Sequence, residues 1–486
     1  MPPKKMQSKK KQFKKGKPNQ FLKVVKPFRE FMQYQASGGL VLLSCVIIAL
    51  FVANIPIIGA DYLAMWETNV GIIIGPSSLE KPLVFWVNDL LMVIFFFLIG
   101  LEIKREVIIG ELSTPSNTIA PIIGAIGGMI TPALFFLLFN PIGTAGATAW
   151  AIPIATDIAI SLGILSVFGK MVPTSLKIFL TTLAIADDIG GVLVIALVYS
   201  HGLVLLHLAL ALLIFIILLI LNRMGIRNIL PYGILGVVLW FEFLLSGIHP
   251  TIAGILIALS IPATTKIDLK EFNDISSELV RRINSETQQD QENVDIVRIL
   301  NISRTLEVAC NDVETPLQQV EHVLTKWLAF VIVPIFALAN AGVVLEGAEG
   351  GLVSSSVPIG IIVGLVIGKP LGVILAVWIG IRIGIINLPE DVSWQLMIAT
   401  AFLTGIGFTI STFIASLSIA DAGLLASSKV AILLASLISG ALGFFSLRYA
   451  IKKREESLIP YIPSKIPGTP NIITTEENIG TTKSDS

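Results

Sequence analysis

Six ionisable residues lie inside long apolar runs of this sequence: Asp89, Asp157, Asp187, Asp188, Glu242 and Lys369. A charge at the centre of a bilayer costs roughly 2.5–3.5 kcal/mol even on lenient insertion scales, so each marks a candidate functional position. Asp157 sits in Ile154-Ala-Thr-Asp-Ile-Ala, and the pair sits in Leu183-Ala-Ile-Ala-Asp-Asp-Ile-Gly-Gly. Carboxylates with the Thr156 hydroxyl and loosened backbone carbonyls offer the all-oxygen ligand set that a hard cation such as sodium takes. Desolvated and repelling one another, the same carboxylates can also hold protons at working pH. A site that takes either protons or a sodium ion, but not both, is the core of an exchanger. If Asp157 and Asp188 both release protons on sodium binding, two protons move per sodium and the cycle is electrogenic.

The two aspartate-bearing spans are joined by a short turn around Gly169 to Pro173 and should pack antiparallel. At about 1.5 Å per residue, Asp157 and Asp188 lie roughly 21 and 26 Å from that turn, so they can share a site. Successive helical residues point about 100° apart. Asp187 and Asp188 therefore face different neighbours, and one of them can meet Asp157. Lys369, in Ile367-Gly-Lys-Pro-Leu-Gly, needs an anionic partner, for which Asp187 is the candidate. Such a pair is either a structural prop or a proton carrier. In Leu403-Thr-Gly-Ile-Gly-Phe-Thr-Ile-Ser, Gly405 and Gly407 flanked by hydroxyl residues can unwind a helix at mid-membrane, as can Ala155-Thr-Asp. Two interrupted helices far apart in the chain point to an inverted repeat with the ion site at its interface.

The elements that must position these residues follow from composition. Of 486 residues, 54% are hydrophobic and only 14% charged, against about 25% charged in soluble domains. Mean hydropathy is +0.83, and the apolar residues come in runs of spanning length. The expected fold is all-α and polytopic. Twelve spans are expected, near 38–56, 86–107, 119–139, 148–167, 174–199, 203–221, 229–246, 248–262, 326–344, 357–381, 394–418 and 424–447. With the N-terminus inside, only Lys81 and Lys429 of the 34 Lys and Arg fall outside, and Lys369 is within a span; the positive-inside rule then places both termini in the cytoplasm.

The expected organisation is a basic cytoplasmic tail over 1–36, helices 1–8 over 37–262, a polar acidic cytoplasmic loop over 263–322, helices 9–12 over 323–450, and a disordered tail over 451–486. Eleven Lys or Arg and no acid occur between Met1 and Arg29. Net charge is zero, which implies no nucleic-acid partner. Cys45 and Cys310 show neither a disulfide nor a metal spacing.

At this point the motifs define a resemblance. Ala36-Ser-Gly-Gly-Leu, Asn88-Asp-Leu-Leu-Met, Phe97-Leu-Ile-Gly-Leu-Glu-Ile-Lys-Arg-Glu, Ala155-Thr-Asp-Ile-Ala, Leu183-Ala-Ile-Ala-Asp-Asp-Ile-Gly, Glu321-His-Val-Leu, Gly368-Lys-Pro-Leu-Gly and Gly405-Ile-Gly-Phe-Thr-Ile-Ser resemble the NhaA-type sodium/proton antiporters of bacterial inner membranes. That family is a standard example of the inverted-repeat architecture, so the repeat is not an independent discovery. The resemblance implies twelve helices, with helices 4 and 11 crossing as broken helices. It implies Asp157 and Asp188 as the sodium and proton ligands, with Thr156 nearby, and Asp187 paired with Lys369. It further implies two protons inward per sodium or lithium outward, activation at alkaline pH, a homodimer, and no cofactor beyond the transported ions. By position the pH response implicates Glu102, Glu106, His249, Glu321 and His322. The chain departs from the family at Thr325, often a second histidine in relatives, and at Gln318, Gln319 and Val320, where basic residues are usual.

Rival chemistries fit less well. An intramembrane aspartyl protease needs Gly-x-Gly-Asp, but Gly405-Ile-Gly is followed by Phe408. A proton- or sodium-coupled symporter of a small solute, the alternative reading, needs a solute-recognition group that is not evident. No repeated channel filter is present.

Overall fold

The computed structural model describes residues 21–74, 77–110, 115–200, 202–289, 296–344, 355–386, 388–389 and 391–458. Almost every described element is a helix, as long apolar runs dictate: in hydrocarbon each backbone N–H and C=O must be satisfied within its own segment. Among the described residues ten helical segments are long and apolar enough to cross a membrane. Two shorter apolar helices, Ser37–Ala53 and Thr251–Ser260, stand where the first and eighth spans were expected. The first of these lies within the longer helix Phe21–Ala53, and a count of twelve full-length spans is not confirmed. The ten residues of Thr251–Ser260 reach only about 15 Å, half a hydrocarbon core.

The basic tail over 1–20 and the C-terminal tail over 459–486 lie outside the described residues; the last helix itself runs Ala422–Leu458. The acidic loop contains two helices, Leu269–Gln289 and Ile296–Val313, packed against each other. At its base the Lys266 N–H donates to the Asp312 carbonyl (3.0 Å). One element was not anticipated: an antiparallel hairpin pairs Asn69–Ile74 with Ser77–Pro82.

Three features aim side chains at the centre. Helices Pro115–Phe139 and Lys369–Arg382 touch backbone to backbone, since a Cβ on Gly372 would lie 2.2 Å from the Gly127 carbonyl. Small residues allow this approach, which gives lipid-embedded helices their packing energy. Lys369 is thereby held beside Thr174–Val198. A π-turn over Gly364–Gly368 immediately precedes Lys369 and Pro370; proline has no N–H for the usual bond, so the turn widens. Finally, two spans are broken. One is a 3-10 helix, Ala145–Ile154, then extended residues, then helix Ile158–Val167. The other is Trp394–Thr404, a turn through Gly405 to Gly407, then Phe408–Ser418.

Candidate ion site at two helix breaks

The two breaks cross and stitch together. The Asp157 N–H donates to the Ile406 carbonyl (2.6 Å), the Ser161 hydroxyl to the Leu403 carbonyl (2.9 Å), and the Ser411 hydroxyl to the Ile152 carbonyl (2.7 Å). Each break frees N–H and C=O groups that would otherwise be orphaned in a dry interior, and each satisfies the other's.

Charge follows the same logic. Asp157 caps helix Ile158–Val167, its Oδ1 accepting from the Ile160 N–H (3.2 Å). Its Oδ2 accepts from the Thr409 N–H (3.2 Å) and from the Thr409 hydroxyl, at the start of helix Phe408–Ser418. One carboxylate thus meets two helix N-termini, each with a partial positive charge. At the opposite end of the first break, the Lys369 ammonium donates to the Ile154 carbonyl, at a 3-10 helix C-terminus.

The adjacent aspartates part company. Asp187 Oδ2 is 2.8 Å from Lys369 Nζ, both side chains fully buried, and 2.8 Å from the Thr156 hydroxyl. That hydroxyl is also 3.0 Å from the Thr404 carbonyl; having one proton, it bonds one of the two at a time. Asp188 instead lines a cavity of about 40 Å³ with Asp157, Thr156, Thr409 and Glu102, walled by Phe95, Leu98, Ile99 and Ile410. Asp187 does not line it. Asp188 Oδ1 is buried with no hydrogen-bond partner, a costly state for a polar atom. The cavity exceeds the ~10–15 Å³ needed to hold one water, so it accommodates a small partly hydrated cation.

Gly405 and Gly407 lie at the second break as the sequence led us to expect. A Cβ on Gly405 would fall 2.4 Å from the Leu365 carbonyl and 2.6 Å from the Ser439 hydroxyl. Thr409, which hydrogen-bonds Asp157, is the residue that sequence reasoning missed. Its signal was its place four residues after Gly405, at the first turn of the resumed helix.

The residues assigned to a pH response do not all converge. Arg105 joins Glu106 (2.7 Å) and Glu321 (2.8 Å), and buried Glu102 lies one turn along the same helix. Lys104 closes this end by donating to the carbonyls of Leu259 (2.6 Å) and Ile261 (2.5 Å). His322 is exposed. His249 stands apart from that cluster. It stands 3.5 Å from Asp89, 13 residues along the helix from Glu102, which is about 20 Å. The reason is topological: His249 starts helix Thr251–Ser260, whose far end is the one that meets Lys104. Glu242, unassigned from sequence, bonds His207 (2.8 Å).

Two broken helices crossing inside a multi-pass helical bundle, with carboxylates lining a small cavity at the crossing, define an integral membrane protein of the broken-helix class. The chain belongs to the Na+/H+ antiporter 1 family, whose profile matches residues 29–447. It is 41% identical over 433 residues to the Na(+)/H(+) antiporter NhaA of Oleidesulfovibrio alaskensis, covering 89% of this chain and 96% of that one. It is 42% identical over 431 residues to the Na(+)/H(+) antiporter NhaA of Flavobacterium psychrophilum, covering 89% and 98%.

Proposed function

We infer that this protein is a sodium/proton antiporter of a bacterial inner membrane, with both termini in the cytoplasm. The observation that carries this reading is the shared cavity: Asp157 and Asp188 both face it, while Asp187 is turned away to Lys369. Two carboxylates facing one small oxygen-lined space hold protons, or hold a sodium or lithium ion with Thr156 and Thr409, because like charges so placed need a counter-charge. Two protons entering per sodium leaving makes the exchange electrogenic. Glu102, Glu106 and Glu321 around Arg105 supply its pH response at the cytoplasmic end. Family likeness supports a homodimer. The cavity argues against a coupled symporter, since solute pockets run to ~300–1,000 Å³.

The test is sodium- or lithium-driven collapse of a preset pH gradient in everted vesicles. Wild-type protein should collapse it, and an imposed membrane potential should change the rate. Asp157→Asn and Asp188→Asn should each abolish the response. Wild-type rates in either variant would overturn the assignment.

A further inference from the structure

A second, partly buried polar network lies outside the ion cavity, seven residues (about 10 Å of helix) from the cavity-lining Phe95 and Val333, and nothing in the transport reading uses it. A π-turn over Trp86–Leu91 carries Asn88 and Asp89. The Asn340 amide donates to Asn88 Oδ1 (2.7 Å), and its own Oδ1 accepts from Lys429 Nζ (3.2 Å). Among the described residues Lys429 has no carboxylate partner. Asn340 ends helix Val333–Ala341 and is 1% exposed; Lys429 is in the last helix. Three separate elements are therefore tied by one amide. The neutral amide–amide bond is worth about 0.5–1.5 kcal/mol and the ammonium–amide bond about 1.5–3 kcal/mol, so such a tie can open and close in a transport cycle.

Its position gives it meaning. Asn88 lies 14 residues from Glu102, and Asn340 lies 19 residues from Glu321 on a near-continuous helix, distances of about 21 and 28 Å. The network is thus at the end of the molecule opposite the Arg105 cluster. Between it and the ion cavity stands an aromatic layer. Phe96 meets Phe413 at 5.8 Å and His249 meets Phe413 edge-on at 5.4 Å. Phe413 is one turn beyond Thr409, the ligand of Asp157. The order along the axis is cavity, aromatic layer, then Asn88, Asn340 and Lys429.

We propose that Asn88, Asn340 and Lys429 form the outer latch of the ion route, closed in this structure, with the Lys429 cation as its charged bolt. Resting on the transport reading and orientation above, the latch excludes external sodium in two ways. The Asn340 amide ties the π-turn to the last helix, and an ammonium with no carboxylate partner among the described residues repels cations at the exit. Outward opening requires Asn340 to leave Asn88 and Lys429 together, since one side chain holds both.

Two measurements decide it. In a protein with Cys45→Ser and Cys310→Ser, the pair Asn88→Cys and Asn340→Cys is oxidised to a disulfide, verified by gel mobility. Sodium-driven gradient collapse should be lost on oxidation and return on reduction; a cross-linked protein that transports like its reduced form overturns the latch. Separately, Met92→Cys in the same cysteine-free background, one turn inward of Asn88 and 1% exposed, is challenged with a membrane-impermeant thiol reagent from outside. Labelling should be slow with the latch intact and faster with Asn340→Ala or Lys429→Met. Equal rates overturn the proposal. Wild-type vesicles run in parallel separate the two ideas: if they ignore sodium, the transport reading fails, while the labelling rates still decide the latch.

Discussion

The Asp157 carboxylate and the Thr409 side chain stand on different broken helices, and Thr409 gives Asp157 both its hydroxyl and its backbone N–H. Asp157 thus joins the two helix resumptions through one carboxylate, Oδ1 on its own helix and Oδ2 on Thr409. Sodium binding must preserve or replace these bonds, so the hydroxyl tunes how available that oxygen is. Thr409→Ala should weaken apparent sodium affinity about tenfold, the equivalent of ~1.4 kcal/mol, just below the ~1.5–3 kcal/mol range for hydrogen bonds to a charged group because the site relaxes. Thr409→Ser should stay near wild type. The readout is the sodium concentration giving half-maximal gradient collapse.

Lys369 and Asp187 are both fully buried, 2.8 Å apart. Removing one partner strands a charge in a dry interior, at a cost of roughly 3–5 kcal/mol. Lys369→Met alone should therefore lower the melting temperature in detergent sharply. Lys369→Met combined with Asp187→Asn should recover most of that loss. Transport by the stable double variant would make the pair a structural prop; its absence, in a folded protein, would make the pair part of proton movement.

Glycine at the second break is set by crowding. Gly405→Ala would drive a methyl to 2.4 Å from the Leu365 carbonyl, and backbone cannot move aside cheaply. We expect poor folded yield and no transport. Gly233→Ala, where a Cβ meets nothing within 4 Å inside helix Ile229–Ser246, should be neutral or stabilising by about 0.5–1 kcal/mol. Melting temperature and fluorescence size-exclusion profiles check both.

The helical pair Leu269–Gln289 and Ile296–Val313 leaves and returns at adjacent backbone positions, Lys266 and Asp312. The next helix is independently started by the Thr315–Gln318 capping box and by the Leu317 N–H bond to the Pro262 carbonyl (3.2 Å). Replacing residues 268–311 by a short Gly-Ser linker should leave the membrane part folded, because changing loop length costs only about 0.6 kcal/mol per doubling. Sodium-driven gradient collapse should persist. Loss of folding would show that the pair is integral to the core.

Much of this protein is written in its linear pattern. Apolar run length alone requires helices, because hydrocarbon offers no alternative partner for the backbone. The cost of charge in that medium singles out Asp157, Asp187, Asp188 and Lys369 without any coordinates, and Gly405 and Gly407 announce a break because glycine weakens a helix. What the pattern could not decide is anything set by helix rotation or by side chains distant in sequence. Two adjacent aspartates carry the same composition signal, yet the rotation of Thr174–Val198 sends Asp188 to the cavity and Asp187 to Lys369. Thr409 looks like any helical threonine until the crossing brings it to Asp157, 252 residues away. His249 and Glu321 read alike as titratable residues near span ends, and only the helix packing places them at opposite ends of the molecule. Local chemistry determined which residues matter; the packing of broken helices decided which of them face one another.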